Sequence, residues 1–340
     1  MSRVVTGYRP TGRLHLGHLL GNISSMQQMQ AEHECFFFIA DWHALTTDYE
    51  DTASIAANTR DLVLDWIAAG IDPFRATIYK QSDVPEVAEL ALYLSMITPL
   101  GWLERNPTYK EQLRDLSATP QRSGGAPRQI TTHGFLGYPV LQCADIAIVG
   151  GELVPVGEDQ IPHLELTREI VRRFNRLYGH RFPEPQPILT STPRVMGPDG
   201  RRMSKSFGNA IWLSDPIERI TKAVASAVTD PAKIKRDDPG DPEVCTVYHW
   251  WRQFFPEAAP DVADRCRTGH LGCVQDKEAL AAALSARLEP FRERRAELEA
   301  KAGIADEVLS AGRAKIRPIV GETIEAVRDA MHLPATRRPT

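Results

Sequence analysis

The stretch Gly7-Tyr8-Arg9-Pro10-Thr11-Gly12-Arg13-Leu14-His15-Leu16-Gly17-His18 decides how the chain is read. It follows the apolar pair Val4-Val5 and runs into a helix-compatible segment, Leu19 to Gln30, so its glycines and histidines fall where a strand turns into a helix. Backbone amides at a helix start are unpaired and carry partial positive charge, and glycine lets an anion approach them closely. Such a junction suits phosphate. Far downstream, Arg202-Met203-Ser204-Lys205-Ser206 places cations on what reads as a mobile loop, residues 196–210. Both segments are expected to serve one nucleotide site.

Outward from the first signature, short apolar runs alternate with helical periodicity. Val4-Val5, Cys35 to Ala40 and Ala76 to Tyr79 read as buried strands, separated by amphipathic stretches such as Ile55 to Ala69. This is the βαβ rhythm of an α/β protein: a Rossmann-type, doubly wound parallel sheet wrapped by helices. Val84 to Leu116 reads as a mostly helical insertion, placed at about 84–135, with Thr119 to Gly125 a polar loop. Pro139 to Pro155 reads as a return to the sheet, and Ile161 to Tyr178 has clear helix spacing. Beyond the proline-rich segment 183–193 and the loop, everything from Ile211 on reads as helical: Pro216 to Val228, Val244 to Phe255, Lys277 to Ala302 and Ile304 to Met331. The expected organisation is a catalytic unit over 1–195, the loop, and a C-terminal all-α domain over 211–340, whose last helix can pack back on the first unit.

Bulk properties narrow the partners. A net charge of -4 argues against a surface that is basic all over, so a nucleic-acid partner must meet a local patch. The five cysteines are scattered without a C-x-x-C pair, which favours reduced, mostly buried thiols over a metal site; a zinc or iron–sulfur site through Cys245, Cys266 and Cys273 is the minor alternative. No run approaches the roughly 20 apolar residues of a membrane span, and Met1-Ser2-Arg3-Val4 opens no long apolar leader. A cytoplasmic protein is expected.

The two signatures resemble the "HIGH" and "KMSKS" sequences of class I aminoacyl-tRNA synthetases, here His15-Leu16-Gly17-His18 and Arg202 to Ser206. A His-x-Gly-His alone also occurs in unrelated nucleotidyltransferases; the pairing and its order carry the specificity. Within the class, Val154-Pro155-Val156-Gly157-Glu158-Asp159-Gln160 with the following Ile161 to Glu169, Asp41-Trp42-His43-Ala44-Leu45-Thr46, Tyr138 to Ile146 and Ser226 to Asp230 resemble tryptophanyl-tRNA synthetases over nearly the whole chain. The resemblance implies that ATP and Mg²⁺ activate tryptophan to its adenylate before transfer to tRNA(Trp), by a homodimer.

It also implies roles. His15, His18 and Lys205 would stabilise charge on the phosphates. Arg9, Pro10, Thr11 and Gly17 would flank the nucleotide; Gly157, Glu158 and Asp159 would meet its ribose; Val195 would pack near adenine; Arg202, Met203, Ser204 and Ser206 would complete the loop. For the amino acid, Asp145 would accept a hydrogen bond from the side chain, Tyr138 and Gln160 would bind the α-amino group, and Val5, His43 and Gln142 would line the pocket. Gln142 departs from the methionine of common bacterial tryptophanyl enzymes and could tether Asp145. Arg202 stands where lysine is frequent, and Lys110, near Gln112, falls in a lysine-bearing loop of the family.

Tyrosine is the nearest competing substrate, because a buried carboxylate accepts from an indole N–H or a phenol O–H alike. Val5, two residues before Gly7, replaces the tyrosine that usually helps hold a phenol oxygen, and an apolar wall suits the wider indole. A non-charging paralogue that senses tryptophan or adenylate is the third reading. His163 reads as part of a solvated helix face or interface, and Tyr248 to Phe255 as helical core. Arg287, Arg292, Arg294 and Arg295, with Arg313, Lys315 and Arg317 beyond, are candidate tRNA contacts, although the glutamates interleaved with the first group favour an ordinary salt-bridged helix surface. Leu92, Leu94, Met96 and Leu100 could serve a dimer interface or the core.

Overall fold

Five short strands, β1 (Arg3–Tyr8), β2 (Glu34–Ile39), β3 (Ala76–Lys80), β4 (Leu153–Val156) and β5 (Gln186–Leu189), form one parallel sheet in the order β3-β2-β1-β4-β5. The computed structural model describes residues 1–107, 109–110, 132–189, 195–205 and 207–333. Ser206, Gln112, the loop Thr119 to Gly125 and the side chain of Asp159 lie outside that description.

The order reverses direction between β1 and β4, and ligands of open parallel sheets bind in the crevice beyond the carboxyl ends of strands at such a switch point. Gly7 is the penultimate residue of β1 and Gly157 follows β4, so both glycine-bearing signatures open onto that crevice.

Helices follow in chain order: α1 (Leu16–His18), α2 (Ser24–Glu32), α3 (Asp41–Asp48), α4 (Ile55–Ala68), α5 (Glu86–Ile97), α6 (Leu100–Arg105), α7 (His133–Ile148), α8 (Ile161–Tyr178), α9 (Ile217–Ala225), α10 (Thr246–Phe254), α11 (Ala259–Arg267), α12 (Cys273–Glu299) and α13 (Ile304–Ala330). Because side chains alternate along a strand, β1 serves two cores. Val4 packs with Phe37, Ile39, Leu14, Leu16, Trp66 and Ile211 on one face. Val5 packs with Phe36, Phe38, Tyr79, Cys143 and Ala144 on the other, where Ile316 and Val320 of α13 join them. Among the described residues, no helix is long and apolar enough to cross a membrane.

Two segments differ from their sequence reading. Pro139 to Val149 is not sheet: residues 133–148 form α7, buried over Cys143 to Ile148, and only Leu153–Val156 is a strand. An apolar run buried all round has no periodicity to separate helix from strand, and the whole segment is too long for one strand. Conversely β5 lies inside the proline-rich segment. Pro187 is tolerated because β5 pairs only with β4 and needs no ladder donor on its outer side.

At the opposite edge, α13 lies against β3 so closely that a Cβ on Gly312 would fall 1.7 Å from the Ile78 carbonyl oxygen. Helix and strand can meet there only because position 312 has no side chain, and the contact covers an edge that would otherwise present unpaired backbone groups. Gly312→Ala is therefore expected to destabilise the fold by about 3 kcal/mol, the upper end of the overpacking range, lowering the thermal midpoint by several degrees. An unchanged midpoint would show that α13 adjusts freely.

Candidate active site

The first signature builds its own helix start. His15 has extended backbone (φ -117°, ψ 171°) and caps α1, its Nδ1 accepting the Gly17 N–H at 3.1 Å. His18 reaches back, its Nδ1 accepting the His15 N–H at 3.0 Å. An amide can only donate, so neither Nδ1 carries a proton, and in the neutral rings the hydrogen sits on Nε2. The two rings lie with centroids 3.9 Å apart and thus present a pair of uncharged donors. Burial, with Lys205 and Arg202 adding to it, draws the His15 pKa down to about 4. Burial, then His15 and Lys205, also holds His18 well below its ordinary value. Both are neutral Nε2–H donors at pH 7.

The second signature is brought to the first by the backbone. Leu16 donates to the Ile211 carbonyl at 3.0 Å and Leu213 donates to the Leu14 carbonyl at 2.9 Å, an antiparallel bridge centred on His15 and Trp212. Lys205 Nζ then donates to the Gly12 carbonyl at 2.9 Å and to Thr11 Oγ1 at 3.3 Å. Gly12 presents that carbonyl with φ +110°, open to glycine and rare for other residues. Burial lowers the Lys205 pKa to about 8; Asp65 opposes the shift and Arg9 adds to it. The loop's own shape depends on Asn209, which the sequence reading missed: its Oδ1 accepts the Ser204 N–H at 2.8 Å, while Nδ2 donates to Asp199 at 2.8 Å and to the Arg202 carbonyl at 3.1 Å. Met203 is buried, donates its backbone N–H to Val195 and leaves Arg202 exposed.

Around these groups, Arg9 is exposed and donates to Thr47 Oγ1, Pro10 is buried, and Thr11 is exposed. A Cβ on Gly17 would lie 3.0 Å from the His15 ring and 3.8 Å from Val195, so Gly17 and Val195 flank the same space. Gly157 and the exposed Glu158 form the turn from β4 into α8, and Gln160 caps that helix. Lys110 is exposed.

On the Val5 face, Asp145 of α7 is 1% exposed and held by two partners. His43 Nε2 lies 2.9 Å from Oδ2, and Gln81 Nε2 donates to both oxygens at 2.8 and 2.9 Å. Gln81, fully buried at the end of β3, is in turn oriented by the Trp42 N–H at 3.1 Å. Among the described residues the tether of Asp145 is thus Gln81 with His43, not the half-buried Gln142. Burial pushes the Asp145 carboxyl above the usual carboxylate range, with the bonds from His43 and Gln81 opposing. Val5 is 1% exposed and shares a core cluster with Cys143 and Ala144, the two residues before Asp145.

Further residues depart from expectation. His163 is not on a solvated face: at 1% exposure it sits between Asn106 (3.0 Å) and the Tyr138 hydroxyl (2.7 Å), so the Tyr138 oxygen is oriented from behind. Asn106, 5% exposed, carried no signal in the sequence beyond its polarity. Arg295 is no surface cation either: it is 4% exposed and bound to Asp61, Asp65 and Glu299. All five cysteines are free, and among the described residues no group of three or more His, Cys, Asp or Glu is arranged to hold a metal.

Comparison with known proteins agrees with this architecture. The family model described as tRNA synthetases class I (W and Y) matches residues 1–289. The chain is 45% identical to the tryptophan–tRNA ligase of Aquifex aeolicus, covering 98% of this chain and 100% of that one, and 45% identical to that of Thermotoga maritima, covering 97% and 99%. It is similar to the crystal structure of tryptophanyl-tRNA synthetase from Campylobacter jejuni complexed with ADP and tryptophan, with a TM-score of 0.86 and 33% identity over 97% of this chain and 100% of that one. A tyrosyl-tRNA synthetase from Archaeoglobus fulgidus is less similar, with a TM-score of 0.63. With paired nucleotide signatures at the switch point and relatives matching over full length, the chain belongs to the class I tRNA synthetases of the tryptophan and tyrosine family.

Proposed function

We infer that this chain is a tryptophan–tRNA ligase: it activates L-tryptophan with ATP to tryptophanyl-adenylate and transfers it to tRNA(Trp). The observation that carries this reading is the convergence of His15, His18 and Lys205 on one crevice in a chain whose full-length relatives at 45% identity are tryptophan ligases. A buried carboxylate at Asp145 beside apolar Val5 supports indole over phenol, since a single N–H donor satisfies it and leaves no second polar group unpaired.

The tryptophan carboxylate attacks the α-phosphate in line and no side chain becomes covalently attached. The protein positions the reactants and neutralises charge that develops on phosphate oxygens. The Nε2–H groups of His15 and His18 donate to those oxygens, and Lys205 exchanges the Gly12 carbonyl for the β- and γ-phosphates. Arg9, Pro10, Thr11, Gly17, Gly157, Glu158, Asp159, Val195, Arg202, Met203, Ser204 and Ser206 enclose the nucleotide. Val5, His43, Tyr138, Gln142, Asp145 and Gln160 enclose the amino acid, with Gln81 added as the group that orients Asp145. Mg²⁺ would enter with the triphosphate and supply further charge neutralisation. The helical part after 211 offers its surface to the tRNA anticodon stem. Leu92, Met96 and Leu100 are 54%, 71% and 58% exposed on α5 and α6, whereas Leu94 is fully buried, and we assign the three exposed side chains to a homodimer interface.

Tryptophan-dependent exchange of labelled pyrophosphate into ATP tests the assignment: exchange with tryptophan and none with tyrosine is expected, and the reverse would make the chain a tyrosine enzyme. Lys205→Met is expected to slow adenylate formation about 10²- to 10³-fold. In the parent, kcat/KM for ATP should fall as pH rises through about 8, because the free-enzyme ammonium is lost there and neutral lysine cannot pair with phosphate. That limb should vanish in Lys205→Met. Met96→Asp is expected to convert dimers to monomers in sedimentation, and unaltered dimers would place the interface elsewhere.

A further inference from the structure

Leu14, the residue before His15, is 1% exposed, and both halves of its backbone are pinned. Its carbonyl accepts the Leu213 N–H, and its own N–H donates to Asp65 Oδ2 at 3.0 Å across 51 residues. Asp65 lies on α4 and is 1% exposed. Its second oxygen takes Arg295 Nε of α12 at 2.8 Å, while the remaining guanidinium nitrogens reach Asp61 at 2.7 Å and Glu299 at 2.6 Å. A carboxylate taken from water at such a place is costly. An apolar pair of similar volume would commonly be as stable, so packing alone does not explain a charged pair here.

We propose that Asp65, fixed by Arg295, is a positioning residue for the nucleotide signature: it holds the Leu14 amide and so sets where the adjoining His15 and His18 rings present their Nε2–H donors to phosphate. The chain of contacts is continuous. Arg295 orients the carboxylate, the carboxylate fixes the Leu14 peptide, and Leu14 leads into the capping box in which His15 and His18 hold each other. A helix of the C-terminal half thereby sets the geometry of the ATP site. Removing the acceptor leaves a buried N–H without a partner, which the Leu14 peptide can relieve only by turning, and His15 turns with it.

The test rests on the tryptophan-activating reading and uses two neutral pairs. Asp65→Asn/Arg295→Met keeps an amide oxygen for the Leu14 N–H; Asp65→Leu/Arg295→Met removes it. Both replace the ion pair, so thermal midpoints measured on each report stability separately from positioning. The leucine pair is expected to lose about 10- to 100-fold in kcat for tryptophan-dependent pyrophosphate exchange, as displacement of a donor does, with KM for tryptophan within about twofold of the parent. The asparagine pair is expected to keep most of the parental rate. Equal rates in the two pairs, or a tryptophan KM that moves as far as that of ATP, would overturn the proposal. Should the leucine pair fail to fold, the asparagine pair decides alone: a rate within about twofold of the parent supports the role, and an about tenfold loss refutes it. Calorimetric titration of ATP without amino acid keeps the two readings apart. A parent that binds ATP but shows no exchange with tryptophan contradicts the activity, while the difference in ATP affinity between the two pairs still decides the role of Asp65.

Discussion

The site depends on one short antiparallel bridge, Leu14 to Leu16 against Ile211 to Leu213. It ties the first turn of the chain to the exit of a loop some two hundred residues later, and without it the two signatures would share a protein but not a site. Two backbone hydrogen bonds contribute little stability by themselves, on the order of 1 kcal/mol each net. Their weight comes from what surrounds them: Leu14, Leu16, Ile211 and Leu213 are all buried in the same core as Trp66 and Val4, so water cannot compete for the amides. With the bridge made, Lys205 has only to reach across to Gly12.

Electrostatics in this crevice is arranged around neutral donors. Burial penalises the charged imidazolium first, and the nearby cation Lys205 adds repulsion; both effects keep His15 and His18 uncharged. The cationic contribution is left to Lys205, whose pKa burial draws down to about 8. On the other face of the sheet, Asp145 is held by the Gln81 amide and the His43 imidazole, while burial pushes its carboxyl above the usual range.

The residues that orient the candidate site groups were the least visible in the sequence. His15, His18, Lys205 and Asp145 stand in patterned surroundings that announce them. Gln81, Asn209, Asn106, His163 and Asp65 are single polar letters in apolar or irregular stretches, and nothing in one sequence separates a buried hydrogen-bonding residue from a solvated one. Arg295 shows the problem most clearly. It sits among Arg292, Arg294, Glu293 and Glu297 on a helix that alternates charge at surface-like spacing, yet the approach of α4 buries it. Tyr138 is a partial case: its place in the family pattern marked it, but not the His163 behind it.

By itself the sequence determined the alternation of buried strands with helices, the two signatures and the change to helices beyond residue 211. Each of these is a local matter of periodicity, glycine placement and side-chain chemistry. Helix against strand for residues 133–148 was not local, because a segment buried on every side carries no period. Nor was the fate of β5, where proline is acceptable only because the strand has a single neighbour, or of Gly312, whose missing side chain is explained only by the β3 backbone lying against it. Tertiary structure decided these, along with the partners of every buried polar group, because burial and hydrogen bonding are relations between segments far apart in the chain.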